Sequence, residues 1–241
     1  MSSRVRIKID YIMKIHRFYI GGKIDLKHDF WVHDRALLWQ WGRVFRFVAG
    51  QEIVLFDGKG NDRLYKIGEI SPKEAHLLLV TELEPKIPKA HVYLFWSLLS
   101  GDKNDLVIQK CTELGVTNFV PIFSARSAKT KFNIAKAEKI ALETSERCGR
   151  STIPHIRRPI DIQEVLSEYG DQVNLLVCHQ SHSELTEVKK DSKLGIIVGP
   201  EDGFMDGEVT TLISGGAKVL ELGELTLHAE TAAIVAASKF L

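Results

Sequence analysis

Three short segments carry the residue types from which a small-molecule site could be built: CHQSH (178–182), GPEDGF (199–204) and LGELTLHAE (222–230). Each follows an apolar run, VNLLV, LGIIV or AKVLE, of the kind expected for a buried strand. In open α/β sheets, ligands bind on the loops that leave the carboxyl ends of strands. GPEDGF is the most informative of the three. Gly199 and Gly203 permit a tight turn with close backbone approach, and a helix opening near Met205–Asp206 aims free N–H groups back at it. A phosphate loop would add a lysine or a third glycine, as in GxxxxGK(S/T) or GxGxxG. Here Glu201 and Asp202 occupy the loop instead. A dinucleotide pyrophosphate would be repelled there, whereas an adenosine body with a cationic centre would not.

Other constellations are weaker. His179-x-x-His182 has a spacing that could ligate a metal, but no third ligand of suitable spacing accompanies it. There is no GxSxG elbow, so Ser/His/Asp hydrolysis has no support. Glu230 and Thr231 open the last helix, where the helix dipole favours a carboxylate whether or not it does chemistry. The aromatic group Trp31, Trp39, Trp41, Phe45 and Phe47 is expected to serve core or interdomain packing rather than base stacking.

The elements that must position these residues change character along the chain. Over residues 1–83, DFWVHD, QEIVLFDG, RLYKIGEI and AHLLLVTELE read as short strands, with a hairpin signal in FDGKGND and partial helix only over Arg35–Phe47. A small antiparallel barrel or curled sheet would close them without open edges. EPKIPKA (84–90), with its two prolines, marks a linker. From residue 91 to 241, apolar strands alternate with amphipathic helices: HVYLFWSLL, then a helix over 102–115 stopped by Gly115, NFVPIF, and a helix over 133–149 with Asn133 as N-cap and Gly149 as stop. The same alternation runs to HAETAAIVAASKFL, giving an α/β domain with a mainly parallel sheet.

Composition narrows the partners. The 241 residues, 44% hydrophobic and 26% charged, can build a real core. Net charge is only +1, but residues 1–50 carry net +6 and residues 124–158 again net +6, leaving −11 elsewhere. Two basic segments on an acidic background point to a local anionic partner. Three scattered cysteines, Cys111, Cys148 and Cys178, fit neither a disulfide framework nor a zinc knuckle and favour a reducing compartment. No apolar run is long enough to span a bilayer, so a cytoplasmic protein without a membrane partner is expected.

In order, SGDKNDLVIQKCTELGV, PIFSARS, ETSERCGRS, GIIVGPEDGF and LELGELTLHAETAA resemble the RsmE family, small-subunit ribosomal RNA methyltransferases of the knotted SPOUT class. The resemblance runs from Met13, because MKIHRFYI is similar to a family start and GRVFRFVAG to the family's VLR segment, so residues 1–12 would be an extension or Met13 the true start. It implies a PUA-like β-barrel that helps hold RNA and an α/β domain with a trefoil knot near the C-terminus. It further implies a homodimer that binds S-adenosylmethionine and methylates N3 of one uridine in 16S ribosomal RNA of the small subunit.

On matching positions, the cofactor would rest on Val198, Gly199, Pro200, Glu201 and Gly203, on His179, and on Leu220, Leu222, Gly223, Leu225 and Leu227. Arg126, Arg147 and Arg150 would hold phosphate and stabilise the uridine anion, and Glu201 or Glu230 would accept the N3 proton. Arg17, Arg43 and Arg46 would track the RNA backbone. The chain departs from the family pattern at Leu225 and His228, where two arginines are usual, at Asp202 in GPEDGF, at Ser100, and at Trp39 and Gln40 in place of two histidines. These departures leave open a diverged knotted protein that grips RNA without catalysis. A nicotinamide-dependent enzyme is disfavoured by the missing GxGxxG and the acidic loop.

Overall fold

The computed structural model describes residues 15–21, 26–129, 131–180 and 193–241. His182, and the expected extension over 1–12 with Met13, lie outside the described residues. The chain divides into two compact units, Met1–Pro85 and Lys86–Leu241.

In the first unit the described strands are β1 (Arg17–Tyr19), β2 (Asp29–Val32), β3 (Glu52–Phe56), β4 (Asp62–Ile70) and β5 (Ala75–Leu83). They form one sheet in the order β1-β3-β4-β5-β2. All neighbours are antiparallel except β1 and β3, which run parallel. No pairing among the described residues joins β1 to β2. Register shifts at Leu64/Tyr65 and Ile67/Glu69 in β4 supply the bend. FDGKGND makes the β3–β4 turn: the Asp57 carboxylate accepts from Lys59 N at 2.7 Å and Asn61 N at 3.1 Å, and Gly58 and Gly60 take φ of 75° and 108°.

Between β2 and β3, helix α1 (Arg35–Trp39) runs into a single π turn (Gln40–Val44). Asp34 caps α1 by accepting from Ala36 N and Leu37 N. Leu38 and Trp41 face the sheet and join Phe18, Ile53, Leu55, Tyr65, Ile67 and Leu77 in the core. The aromatic group, expected to serve core or interdomain packing, therefore splits. Trp41 is fully buried, and Phe45 and Phe47 stack 5.3 Å apart against the core. Trp31 and Trp39 are exposed. With Leu38 and Trp41 turned inward, Trp39 must face out, and strand alternation turns Trp31 away from buried Val32.

The second unit contains β6 (Val92–Ser97), α2 (Lys103–Leu114), β7 (Asn118–Phe123), α3 (Ile134–Cys148), β8 (His155–Ile156), β9 (Ile160–Asp161) and α4 (Ile162–Tyr169). It continues with β10 (Asn174–Cys178), β11 (Leu194–Val198), α5 (Asp206–Ser214), β12 (Lys218–Leu220) and α6 (Ala229–Ser238). The strands lie in the order β12-β10-β11-β6-β7-β8, with β9 also on β7, and every described pairing is parallel. Helices cover both faces, so successive residues of one strand enter different cores: Leu94 and Trp96 one, Phe95 the other.

Asn133 accepts from Lys136 N at 3.1 Å to start α3, while Gly115 and Gly149, at φ of 111° and 83°, end α2 and α3. Lys86, inside the proline-containing segment 84–90, is tied to this unit: its N–H donates to Ser151 Oγ at 2.7 Å, and Ser151 N donates back to its carbonyl at 3.0 Å. Ala233, Ala236 and Ala237 on α6 are completely buried within the same core. Among the described residues no helix is long and apolar enough to cross a membrane.

Candidate functional site

Strands β12, β10 and β11 are neighbours at one edge of a parallel sheet, so their carboxyl ends must open side by side. The loops that leave them line a single cavity of about 390 Å³, a size suited to a small ligand. From the β10 exit come Cys178, His179 and Gln180; from the β11 exit, Val198, Gly199, Pro200, Glu201, Asp202, Gly203 and Phe204. The β12 exit gives Leu220, Leu222, Gly223, Leu225, Thr226 and Leu227, and α6 closes the wall with Ala229 and Ala232. The structure thus brings every residue proposed for the cofactor around one hollow.

Local chemistry explains the loop shapes. Gly203 takes φ of 71° and donates its N–H to Pro200 O at 3.0 Å, closing the GPEDGF turn. A Cβ on Gly199 would come within 3.0 Å of the Phe204 ring, so any side chain here would have to push that ring back by a few tenths of an ångström. His179 N donates to Leu220 O at 3.3 Å and ties the first loop to the third. Leu225 is 80% exposed beside the cavity, a large apolar side chain left for a flat ligand to cover. Apolar walls, backbone-rich turns and an acidic lip at Glu201 and Asp202 fit an adenosine carrying a cation.

Glu201 itself is engaged. Its Oε1 accepts from Ser100 Oγ at 2.8 Å and from the Lys103 ammonium. Those two donors, lysine first, hold its carboxyl below the ordinary value of 4.5. A carboxylate stabilised by donors is a weakened base, which favours Glu230 over Glu201 as the proton acceptor. Lys103 was missed from the sequence. A cation in the first turn of α2 opposes the helix dipole, and that unfavourable placement was the available signal.

Glu230, in the first turn of α6, has one carboxylate oxygen, Oε2, buried with no hydrogen-bond partner among the described residues. Arg126, in the loop after β7, donates to Asp202 O at 2.8 Å and is thereby attached to the cavity's lip. Glu208 steadies the same loop, accepting from Ala125 N at 2.7 Å and from Met205 N at 2.8 Å at the start of α5. Its place three residues into a helix was the sequence signal for that role.

Two arginines are where their proposed roles are not served. Arg150 is buried and donates through Nη1 to Val116 O at 2.6 Å and Thr112 O at 3.4 Å, and through Nε to Thr152 Oγ1 at 3.2 Å. It satisfies carbonyls at the end of α2 rather than facing a phosphate, a placement the helix dipole favours. Arg17 is paired at 2.7 Å with Asp62, whose side chain is buried, and lies over the Phe56 ring. Arg147 is exposed in the last turn of α3 and does not line the cavity; Arg43 and Arg46 are exposed in the first unit. Among the described residues no group of three or more His, Cys, Asp or Glu is placed to hold a metal.

The family model for an RNA methyltransferase domain matches residues 85–241, and that for an RNA methyltransferase PUA domain matches residues 42–80. The ribosomal RNA small subunit methyltransferase E of Rickettsia conorii is 30% identical over 238 residues, covering 93% of this chain and 94% of its own. This chain belongs to the ribosomal RNA small subunit methyltransferase E family. A second member, from Aquifex aeolicus, is 30% identical and covers 80% of this chain and 86% of its own.

Among solved structures, the family member from Neisseria gonorrhoeae bound to S-adenosylmethionine shares the fold at a TM-score of 0.82, with 24% identity over 93% of this chain and 96% of that one. A Legionella pneumophila protein solved with bound S-adenosylmethionine has a TM-score of 0.81 and 25% identity, covering 94% and 97%. The departure from the family pattern at Ser100 has a local use, since its hydroxyl holds Glu201.

Proposed function

We propose that the chain methylates 16S ribosomal RNA with S-adenosylmethionine, and that the acceptor is N3 of a uridine. The observation that carries this reading is the single cavity formed by the three strand-exit loops, in a chain whose relatives are named for ribosomal RNA methylation. When bound, S-adenosylmethionine supplies a methyl group activated by its sulfonium. Leu220, Leu222, Leu225 and Leu227 would cover the adenine faces while the loop backbones meet its edge. Holding donor and acceptor in line can contribute roughly 7–11 kcal/mol.

Uracil N3 carries a weakly acidic proton, so a base must take it and a cation must face the resulting anion. Glu230, with its unpartnered buried oxygen, is assigned as the acceptor, and Arg126, fixed to the cavity's lip, as the cation. The same reading includes a trefoil knot near the C-terminus, a homodimer, and work on the small ribosomal subunit in the cytoplasm, with Arg43, Arg46 and Arg147 on the RNA backbone. The alanine face of α6 does not speak for the dimer, because it is spent inside one chain's own core.

Two measurements test the proposal. Calorimetry with S-adenosylmethionine should show binding, and its absence would leave only a binding role for RNA. Mass mapping of modified nucleosides in 16S RNA from cells lacking the protein should show loss of a 3-methyluridine, restored by complementation. Glu230→Gln should lower methyl transfer by about 100-fold with cofactor affinity unchanged; an unaltered rate removes Glu230 from the reaction.

A further inference from the structure

We infer that α1 and the π turn after it form a stacking site for one unpaired RNA nucleotide, with Trp39 as the platform and Arg35 and Arg43 as flanking phosphate contacts. This deepens the proposed function and rests on that reading for the identity of the partner. The starting observation is an anomaly of burial. Trp39 is 64% exposed, whereas Leu38 and Trp41, beside it in the chain, are 2% and 0% exposed. The segment is amphipathic, with one tryptophan in the core and the other on the wet side.

The backbone sets the side of the segment that each side chain takes. Arg35 and Trp39 are four residues apart on α1, so they lie on the same face. Phe45 N donates to Gln40 O at 3.0 Å, the wider π turn, a feature frequent at functional sites, and Arg43 and Val44 follow Trp39 on the exposed side. Beyond the turn, Arg46 takes φ of 55°, and among the described residues it is the only non-glycine with positive φ. That left-handed residue turns the chain, and its own side chain is exposed.

Charge favours a polyanion as the occupant. Residues 35–51 contain Arg35, Arg43 and Arg46 and no acid, and none of the three forms an ion pair with a described residue. The nearest preceding acid, Asp34, is occupied in capping α1. An exposed indole on a segment that carries three exposed arginines and no acid matches single-stranded RNA, in which bases stack on aromatic faces while arginines meet the backbone.

The test uses the full chain and a labelled single-stranded oligouridylate, with affinity read by anisotropy over a salt series. Trp39→Ala should weaken binding about tenfold at every salt concentration, while Trp39→Phe stays within about threefold of the parent. Arg35→Gln and Arg43→Gln should each lower the salt slope by about 0.7, and Trp39→Ala should leave it unchanged. Parent-like affinity in Trp39→Ala overturns the inference. So does a loss of self-association in sedimentation with RNA affinity intact, which would assign the ring to a second copy. The proposed function fails separately: if the parent binds neither S-adenosylmethionine nor transfers methyl, Trp39-dependent RNA binding still stands.

Discussion

Arg150 separates two physical accounts of the second basic segment. Its guanidinium is buried, and burial pushes its pKa down to about 10, so it is still a cation at neutral pH. Arg150→Met keeps most of the side-chain stem and removes the donors. The Val116 carbonyl, at 2.6 Å, loses a full-strength partner; the Thr112 carbonyl, at 3.4 Å, loses a weak one. An unsatisfied buried carbonyl costs about 1–3 kcal/mol. The relief of no longer burying a charge offsets part of that, so a net loss of about 1–2 kcal/mol is expected. For a chain of this size that lowers Tm by about 2–8 °C. Melting followed by circular dichroism, paired with RNA affinity measured well below the transition, reads both quantities. An unchanged Tm with weakened RNA binding would refute the structural role and return Arg150 to the RNA surface.

Three further perturbations probe the site and its support. Gly195→Ala places a Cβ within 2.6 Å of Leu175 and 2.9 Å of Phe95 and Val173 on the central strand β11; overpacking of that kind should cost about 1–3 kcal/mol, read as a lower urea midpoint with an unchanged slope. Leu225→Ala removes a side chain that is 80% exposed, so Tm should hold while S-adenosylmethionine affinity in calorimetry falls about tenfold; equal affinity would mean the ligand does not cover Leu225. Glu201 is a carboxylate with a depressed folded pKa, so its stabilising contribution is present above about 4.5 and is lost as pH falls through the lower folded value. Lys103→Met should move that carboxyl's midpoint back up toward 4.5 in a carbon-13 NMR titration, and an unmoved midpoint would deny the pairing.

What the sequence disclosed and what it hid follow from the range of the interactions involved. Loop positions were legible because glycine and proline announce turns locally, and the neighbouring apolar runs announce the strands that aim them. Gly203 and Gly115 needed only their own φ to be understood. Arg150 was not legible: inside a basic stretch it reads as surface, and only the carbonyls of Thr112 and Val116, far back in the chain, reveal that it is internal. Trp39 was hidden for another reason. A five-residue helix followed by a π turn is too short and irregular to fix a helical phase, so the side on which an aromatic falls cannot be taken from spacing. β8 and β9, two residues each, have no period at all.

The two acids near the cavity were indistinguishable as letters, and the structure separates them by their partners. Glu201 is held by two donors, the Lys103 ammonium and the Ser100 hydroxyl, which suits a residue that fixes the shape of the loop after β11. Glu230 Oε2 is buried and has no donor among the described residues, so its lone pairs are not spent on a hydrogen bond there. The cations divide in the same way. Lys103 is committed to Glu201, and Arg150 to backbone carbonyls. Arg126 uses one N–H on Asp202 O and forms no ion pair with a described residue, so the rest of its guanidinium is free to meet a developing anion. On the proposed reading, a chain that has leucine and histidine at two positions where arginines are usual can still supply a fixed positive charge, provided that Arg126 rather than the loop after β12 provides it.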